Sequence, residues 1–231
     1  EDLDYTAEGN QVSSSYYYEA SLNYNRTFRE KHNITGLLVG VLRENKSGGA
    51  SSIQTSLPAR NIGLSGRFTY AYDGRYFAEA NFGYNGSERF AKNERFGLFP
   101  SIGAGWMISE EKFWNQDLKN IINKLKLKGT YGLVGNDNIG AWNDRFFYMS
   151  EVNLNGSGAN FSWGQDFERN VGTIDMIRYR NDKIKWEIAQ KMNLGLEVGL
   201  FNIFDIQFDY FTEYRKNIFG ERQTIPYEMG F

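Results

Sequence analysis

Few side chains in this sequence have the types and spacing that catalysis or metal binding requires. Asn136, Asp137 and Asn138 gather the carboxylate and amide oxygens that Ca²⁺ prefers, but their spacing does not match a calcium-binding loop, so a polar turn is the better interpretation. Glu110 and Glu111 are adjacent carboxylates, which at a helix start complement the helix dipole. The single histidine lies in a predicted tight turn. The sequence therefore predicts no catalytic residue, no metal site and no cofactor.

Three lysines form the one stripe of positive charge that could suggest nucleic acid. Lys124, Lys126 and Lys128 alternate with apolar residues, so in a strand they share one face. We expect carboxylates such as Glu79 and Asp209 to balance them on that face. The formal net charge of the chain is −2, which gives no general attraction for a polyanion. Nucleic acid is therefore not an expected partner.

The aromatic residues between positions 136 and 182 are the best candidates for ligand contact. They stand among Gly, Asn and Ser, in a segment longer than the roughly 12–15 residues beyond which loops tend to be functional or disordered. Aromatic faces stack on sugar rings and anchor protein interfaces, although they also pack a loop onto itself. Both interpretations remain open. The residues predicted to contact a ligand or a partner protein are Trp142, Tyr148, Phe161 and Trp163.

Composition narrows the class of protein. The chain has 231 residues, 16% of them aromatic, and no Cys, which excludes disulfides and thiolate sites. No apolar run approaches 18 residues, and the acidic opening "EDLDYTAEGN" does not resemble a signal peptide. The mean hydropathy of −0.56 is typical of soluble proteins, but it also fits a membrane β-barrel, in which half of each strand faces water.

A two-residue hydrophobic period recurs along the chain and predicts an all-β fold. In residues 15–28 the even positions are aromatic or apolar except Arg26, while the odd positions are polar except Tyr17. The same period marks 62–73, 75–86, 124–133 and 204–215, and less regularly 34–43, 97–108 and 184–200. This predicts about eight strands, and runs of about 10 to 15 residues are long enough for the ~9–11 that a tilted strand needs to cross a membrane.

The connections between these strands alternate between short and long. Short connections are predicted at 29–33, 73–75 and 201–204. Segment 109–123 falls where a short turn is due, and there we expect Ser109 to cap a short helix. Short turns at one end and long loops at the other are typical of a transmembrane antiparallel β-barrel wall, with the apolar face toward lipid and the polar face toward a wet lumen. The long polar connections are 44–61, 86–96 and 136–182.

An ordered set of motifs resembles one known family. Residues 66–114 contain "YD-x-RY", "N-x-x-Y-x-GS-x-RF" and "FPS-x-x-x-GW-x-ISEE-x-F", and residues 125–140 contain "LK-x-x-YG-x-x-GN-x-x-I". "KWE", "NLGLEVGLFN" and "DYFTEYRKNI" follow in the same order. Together these motifs, which cover about 15–220, resemble the SusC/RagA family of TonB-linked outer-membrane transporters.

The resemblance implies a fold and a partnership. It implies a barrel of about 22 strands with an internal plug domain, of which residues 1–231 would form part of the barrel, as a C-terminal-side fragment without the plug. It also implies TonB-dependent import of oligosaccharides or peptides, not an enzyme, in the bacterial outer membrane. A SusD-like surface lipoprotein would act as a lid. Segment 136–182 would be extracellular, ordered and packed over the barrel mouth, with Trp142 and Trp163 touching the lid or the cargo.

Two alternatives remain open from the residues alone. The first is a soluble β-sandwich module that binds carbohydrate, since each of its strands would also have one apolar face. The second is a complete small outer-membrane barrel with a structural role. A sandwich does not sort its connections by length, and a complete barrel needs its last strand to pair with its first.

Overall fold

The computed structural model describes residues 12–48, 56–139, 146–167 and 169–220. Most of them form one antiparallel sheet of eight strands, and a separate hairpin is inserted late in the chain. The sheet contains, in spatial order, β1 (Ser14–Phe28), β2 (His32–Lys46), β3 (Ala59–Tyr72), β4 (Tyr76–Ser87), β5 (Phe96–Met107), β6 (Ile122–Asn136), β9 (Glu187–Leu200) and β10 (Phe204–Lys216). The hairpin consists of β7 (Glu151–Trp163) and β8 (Arg169–Arg178).

The eight strands predicted from the hydrophobic period all fall on strands of this sheet, so the all-β prediction is confirmed. The sheet is open, with β1 and β10 as its two edges. The prediction missed β7 and β8, which lie in a segment that was expected to be an ordered loop. No helix among the described residues is long and apolar enough to span a membrane.

The strand register brings the apolar sides of the eight strands onto one surface. Because side chains alternate along a strand, directly opposed residues share a face. One row of opposed residues from β1 to β5 consists of Tyr24, Gly36, Phe68, Ala80 and Ile102. The next row, on the other side, consists of Asn25, Thr35, Thr69, Glu79 and Gly103. We call these two surfaces the apolar face and the polar face.

Three of the short connections share one backbone conformation. The β1–β2 turn has Arg29 and Glu30 in the left-handed region, with φ of 48° and 59°, and the β9–β10 turn has Phe201 and Asn202 there, with φ of 55° and 54°. The β3–β4 turn uses Asp73 with the glycine that follows it. Left-handed pairs match the right-handed twist of hairpin strands, which explains why these connections are tight. They lie at the same end of the sheet, which we call the turn end.

Neighbouring connections at the turn end are joined by backbone hydrogen bonds. The amide of Asp73 donates to the carbonyl of Lys31 at 2.7 Å, and the amide of Met107 donates to the carbonyl of Arg75 at 2.7 Å. The amide of Phe201 donates to the carbonyl at position 121, at 2.9 Å. At the turn end, backbone hydrogen bonds therefore join each connection to the neighbouring one, in addition to the bonds within each hairpin.

The β5–β6 connection is also at the turn end and contains a 3₁₀ turn (Ile108–Glu110) and a short helix, α1 (Gln116–Ile121). The prediction that Ser109 caps a helix was wrong. Ser109 is buried within the 3₁₀ turn, and Asn115 caps α1, since its side chain accepts a hydrogen bond from the amide of Leu118 at 3.0 Å. Asn is as good an N-cap as Ser, so the two residues compete on sequence alone.

The buried apolar core of the described residues is small and lies at the opposite end, which we call the loop end. We call this group the loop-end cluster, and it consists of Phe90, Ile139, Phe147 and Trp186. Trp186 packs against Phe90 and Phe99 with ring centroids 5.2 and 5.1 Å apart, and its Nε1 donates to the carbonyl of Arg95 at 3.2 Å. These residues come from four separate parts of the chain, so the cluster ties the connections at this end together.

Candidate functional site

The polar face carries paired charges where β6, β9 and β10 meet. Lys124 Nζ lies 2.8 Å from Glu197, and Lys128 Nζ lies 3.1 Å from Glu197 and 3.5 Å from Asp209. The predicted pairing of the lysine stripe with Asp209 is therefore confirmed. Glu79 lies on the same face as the lysines, as predicted, and its own ion pair is with Arg67 across the sheet, at 2.8 Å. Paired charges on a strand face are suited to a wet lumen rather than to a polyanion.

A shallow open concavity of about 480 Å³ lies over the polar face between β2 and β9. Its lining contains hydroxyl and amide side chains with three lysines and one glutamate, so it can form hydrogen bonds with a polar solute or a protein surface. Among the described residues, no three His, Cys, Asp or Glu side chains come close enough to hold a metal ion. The polar side chains that line the concavity include Asn81, Ser101, Thr130, Lys126, Lys128 and Lys191.

The Asn136 to Asn138 cluster makes a turn, as the sequence suggested. The Asn136 side-chain oxygen accepts a hydrogen bond from the Asn138 amide at 3.0 Å, and its amide nitrogen donates to Glu187 at 3.0 Å. Such a bond from an Asn side chain to the backbone two residues on is ordinary turn chemistry. The side chain therefore stabilises the end of β6.

The "YD-x-RY" and "ISEE" motif residues meet at the turn end in a polar network. Arg75 lies 2.5 Å from Asp73 and 3.3 Å from Glu111, and Trp106 Nε1 donates to Glu111 at 2.9 Å. Hydrogen bonds lower the pKa of the Glu111 carboxyl, and the bond from the Tyr76 hydroxyl has a larger effect than the bond from Trp106. The hydrogen bond to Asp73 raises the pKa of Arg75. We call this group the rim network, and its bonds join the β3–β4 turn to the β5–β6 connection.

The aromatic residues next to the rim network form a continuous row on the apolar face. The ring of His32 lies 4.9 Å from that of Tyr72, Tyr72 lies 6.3 Å from Tyr76, and Tyr76 lies 6.5 Å from Trp106, measured between centroids. A second pair, Tyr84 with Phe96 at 5.3 Å, lies toward the loop end of β4 and β5. Aromatic rings thus mark both ends of the apolar face.

The four residues predicted to contact a ligand are placed very differently. Tyr148 is half-buried, with its ring 6.1 Å from that of Phe146, and Phe161 is exposed on β7. Within the part of the chain that the structure describes, no ring contact joins these two. Trp142 lies outside the described residues, and Trp163 is described only through its backbone, at the end of β7 opposite Arg169.

Sequence reasoning missed the role of Phe147, the neighbour of Tyr148. Phe147 is buried in the loop-end cluster, with its ring 5.2 Å from Phe219 and with Arg178 stacked over it at 4.8 Å. In this part of the segment, the packing interpretation therefore holds for Phe147. No local pattern distinguishes it from the other aromatic residues nearby.

The β7–β8 hairpin presents an exposed aliphatic surface that sequence reasoning also missed. Val152 lies opposite Met176, and alternation places Leu154 and Ile174 on the same side. All four side chains are exposed, Leu154 by 70% and Ile174 by 69%. The signal was present as a short alternation in "EVNLN" and "TIDMI". We call these four residues the hairpin patch.

Comparisons with known proteins identify the relatives of this chain. No family model matches it. SusC of Bacteroides thetaiotaomicron, a TonB-dependent receptor, is 33% identical over 151 residues, which cover 64% of this chain and 14% of SusC. TonB-dependent receptor P39 of Formosa agariphila is 27% identical over 244 aligned positions, which cover 92% of this chain and 21% of that receptor. This chain is a relative of the TonB-dependent receptors.

The resemblance read from the motifs is thus confirmed, and the chain spans about a quarter or less of the TonB-dependent receptors that it matches. Its fold is similar to part of the RagAB peptide importer in the closed-closed state, with a TM-score of 0.70 at 22% identity over 96% of this chain and 25% of that one. The relatives named here are receptors and importers rather than enzymes.

Proposed function

We propose that this chain forms part of the barrel wall of a TonB-dependent nutrient importer in the bacterial outer membrane. The observation that carries the proposal is the single apolar face that runs across all eight strands. Leu22, Ile102 and Phe208, on β1, β5 and β10, are 68, 63 and 65% exposed. An exposed apolar surface of this extent marks contact with lipid or protein.

The dimensions of the apolar face support lipid as its contact. From the ring row at Tyr76 to the ring pair at Tyr84, β4 runs roughly 26 Å at ~3.3 Å per residue, which is about 20 Å along the membrane normal for a strand tilted by ~40°. Outer-membrane barrels have an apolar band about 25 Å tall between two aromatic girdles. The charge pairs of the polar face would then lie in the aqueous lumen. The concavity over that face would form part of the inner wall.

The open sheet argues against the two alternatives. A soluble sandwich would bury the apolar face under a second sheet, and within the described residues nothing covers it. A complete small barrel would pair β1 with β10, whereas these two strands are the edges of the sheet. Unpaired edges are not tolerated in hydrocarbon. Further strands of a larger barrel, of about 22 by analogy with plugged transporters, would therefore lie against β1 and β10.

The loop end is the side on which we place the cargo and the lid. A two-stranded hairpin is only marginally stable by itself, and the hairpin patch leaves its aliphatic side exposed. A SusD-like lipoprotein covering the patch would bury that side. Tyr148 and Phe161, with Trp142 and Trp163, remain the proposed aromatic contacts with the lid or with an oligosaccharide or peptide cargo.

Paired spin labels on β4 test the proposal. In the full-length receptor reconstituted in bilayers, a label at Ala80 should collide with oxygen, which concentrates in lipid. A label at the adjacent Asn81 should collide with a water-soluble nickel chelate. The two positions differ by one residue, so they share depth and flexibility. If both labels report water, or both report lipid, the barrel-wall proposal is wrong.

A further inference from the structure

The turn end has exposed apolar side chains that a barrel wall alone does not require. On α1, Leu118 and Ile121 are three residues apart on one side of the helix, and both are exposed. Phe113, just before the helix, is 64% exposed, and Ile203, in the β9–β10 turn, is 76% exposed. The hydrogen bond from the amide of Phe201 to the carbonyl of Ile121 holds the end of α1 against that turn.

The rim network shows on which side of the sheet this connection begins. Tyr76 and Trp106 stand on the apolar face, and their polar tips both bond to the carboxylate of Glu111. The chain at Glu111 therefore passes over the apolar side of the turn end. Aromatic rings with apolar bodies and wet tips are enriched at membrane interfaces for this reason.

The end of the connection is continuous with the apolar face. Ile122, directly after α1, lies opposite Leu200, and Leu200 lies opposite Phe204, so these three form the last row of that face. Ile121 therefore adjoins the apolar face, while Gln116 and Asn120, four residues apart, lie on the other side of α1. A helix with one apolar and one polar side can lie in the plane of a membrane interface.

We propose that the β5–β6 connection, from Glu111 to Ile121, is an in-plane membrane anchor at the turn end of the barrel wall. Phe113, Leu118 and Ile121 insert among the lipid acyl chains just below the headgroups. Glu111 and the tips of Tyr76 and Trp106 stay at headgroup depth. This inference rests on the proposed function, because it requires the apolar face to meet lipid.

Lipid is favoured over a protein partner by the position of the apolar side chains. The connection begins at Glu111 on the apolar side and ends beside Ile122 in the last row of the apolar face, so its exposed apolar side chains continue that face beyond the ring row. A partner in the adjoining aqueous space would instead meet the polar side of α1. The segment is short, so its binding free energy would supplement that of the sheet rather than replace it.

Single spin labels in the full-length receptor test the anchor. The receptor is reconstituted in vesicles of phosphatidylethanolamine and phosphatidylglycerol, and labels at positions 118 and 120 are compared with reference labels at 206 and 207 on β10. We expect the ratio of oxygen to nickel-chelate collisions to be several-fold higher at 118 than at 120. The collision ratio at 118 should approach that at 206 but remain below it, because position 118 lies closer to the headgroups.

The reference pair separates the failure of the anchor from the failure of the proposed function. If 206 reports lipid and 207 reports water, but 118 collides with nickel chelate, the connection lies in water and the anchor is wrong. If 118 is shielded from both reagents, a protein covers it and the anchor is again wrong. If 206 and 207 report the same environment, the barrel-wall proposal itself fails.

A pair of double variants provides a second measurement that does not depend on labels. Replacing Leu118 and Ile121 by Ser should lower the yield of heat-resistant folded receptor in the same vesicles. The matched control, Gln116→Ser with Asn120→Ser, should leave that yield unchanged. Equal yields for the two double variants would contradict the anchor.

Discussion

The turn end and the loop end of the sheet are stabilised by different chemistry. At the turn end the connections are short, three of them use left-handed backbone pairs, and the rim network joins Asp73, Arg75 and Glu111. At the loop end the connections are long, and an apolar cluster around Trp186 holds them together. The turn end is thus built from local conformations and polar contacts, whereas the loop end depends on apolar contacts between distant segments.

This difference shows which end can change without loss of the sheet. Local turns and strand register define the turn end, so each hairpin can form it independently. The loop end needs several connections to be in place at once, and its hairpin patch is exposed in the chain alone. Variation in the loop-end connections would alter what is bound there while the sheet below is kept, as is usual for loops on a rigid scaffold.

The largest expected effect comes from Trp186→Ala in the full receptor. Emptying the site of a large buried ring costs about 3–5 kcal/mol, and Trp186 also bonds the carbonyl of Arg95, which accepts from the amide of Ser87. Hydrogen exchange in 87–95 should therefore accelerate by about 100-fold or more, at 1.4 kcal/mol per tenfold. The rate of hydrogen exchange in peptides from the turn end should not change.

Trp186→Phe is the matched control, because it keeps an aromatic ring next to Phe90 and Phe99 while it loses the Nε1 donor and part of the indole volume. Trp186→Phe should accelerate hydrogen exchange in 87–95 less than the alanine variant does. If hydrogen exchange in Trp186→Ala accelerated equally at both ends of the sheet, the stabilities of the two ends would not be independent.

The next largest effect concerns the hairpin patch. Replacing Leu154 and Met176 together by Ser removes two exposed apolar side chains without disturbing the loop-end cluster. If the lid covers the patch, its affinity should fall at least about tenfold, which is ~1.4 kcal/mol. Titration of the purified lipoprotein onto the receptor measures this. Asn153→Ser, on the other side of β7, is the control, and unchanged affinity in the double variant would remove the patch from the lid interface.

The rim network should produce a smaller effect that depends on pH. Its donors lower the pKa of Glu111 below the ordinary value of 4.5. The stabilisation is therefore fully present above that ordinary value and is lost as the pH falls through the lowered one. Glu111→Gln should lower the unfolding temperature at pH 7, and the gap from the natural receptor should close in strong acid. Glu110 is exposed and pairs only with Lys119, at 3.3 Å, so Glu110→Gln should change the unfolding temperature little at any pH.

The smallest expected effect is in the β1–β2 turn. Glu30 has φ of 59°, and glycine adopts that conformation without the cost of a Cβ atom. Glu30→Gly should change the free energy of unfolding by no more than about 0.5 kcal/mol, because the relief is offset by greater freedom in the unfolded chain. Lys31→Gly gains no such relief and should destabilise the receptor more. A larger loss for Glu30→Gly would mean that its side chain, rather than its backbone, matters to the turn end.

The turn end and the strands were largely predictable from the sequence, and the loop end was not. Alternation over ten or more residues is a strong signal, and the "YD-x-RY" motif contains both the Asp73 turn and the Arg75 ion pair. The loop-end cluster leaves no such local signal, because Phe90 and Phe147 meet only through the tertiary fold. The β7–β8 hairpin shows too little alternation to distinguish it from a loop.

In the candidate site, too, residues placed by strand alternation could be predicted from the sequence, and residues placed by tertiary packing could not. The lysine stripe and its pairing with Asp209 could be read from a two-residue period, since register then places charges side by side. Glu197, which binds two of the lysines, was missed because it lies in a strand whose alternation is irregular. The choice between contact and packing for Tyr148 and Phe147 depends on which ring points into the cluster, and residue type does not encode that.

The backbone hydrogen bonds between neighbouring connections at the turn end give the sheet a mechanical asymmetry. Asp73 to Lys31 and Met107 to Arg75 join adjacent hairpins across their ends, so sliding of one hairpin past the next would break them. These bonds hold neighbouring hairpins in register at the turn end. At the loop end the connections are joined by the apolar packing of the loop-end cluster instead, so we expect the larger motions there, while the turn end stays in register.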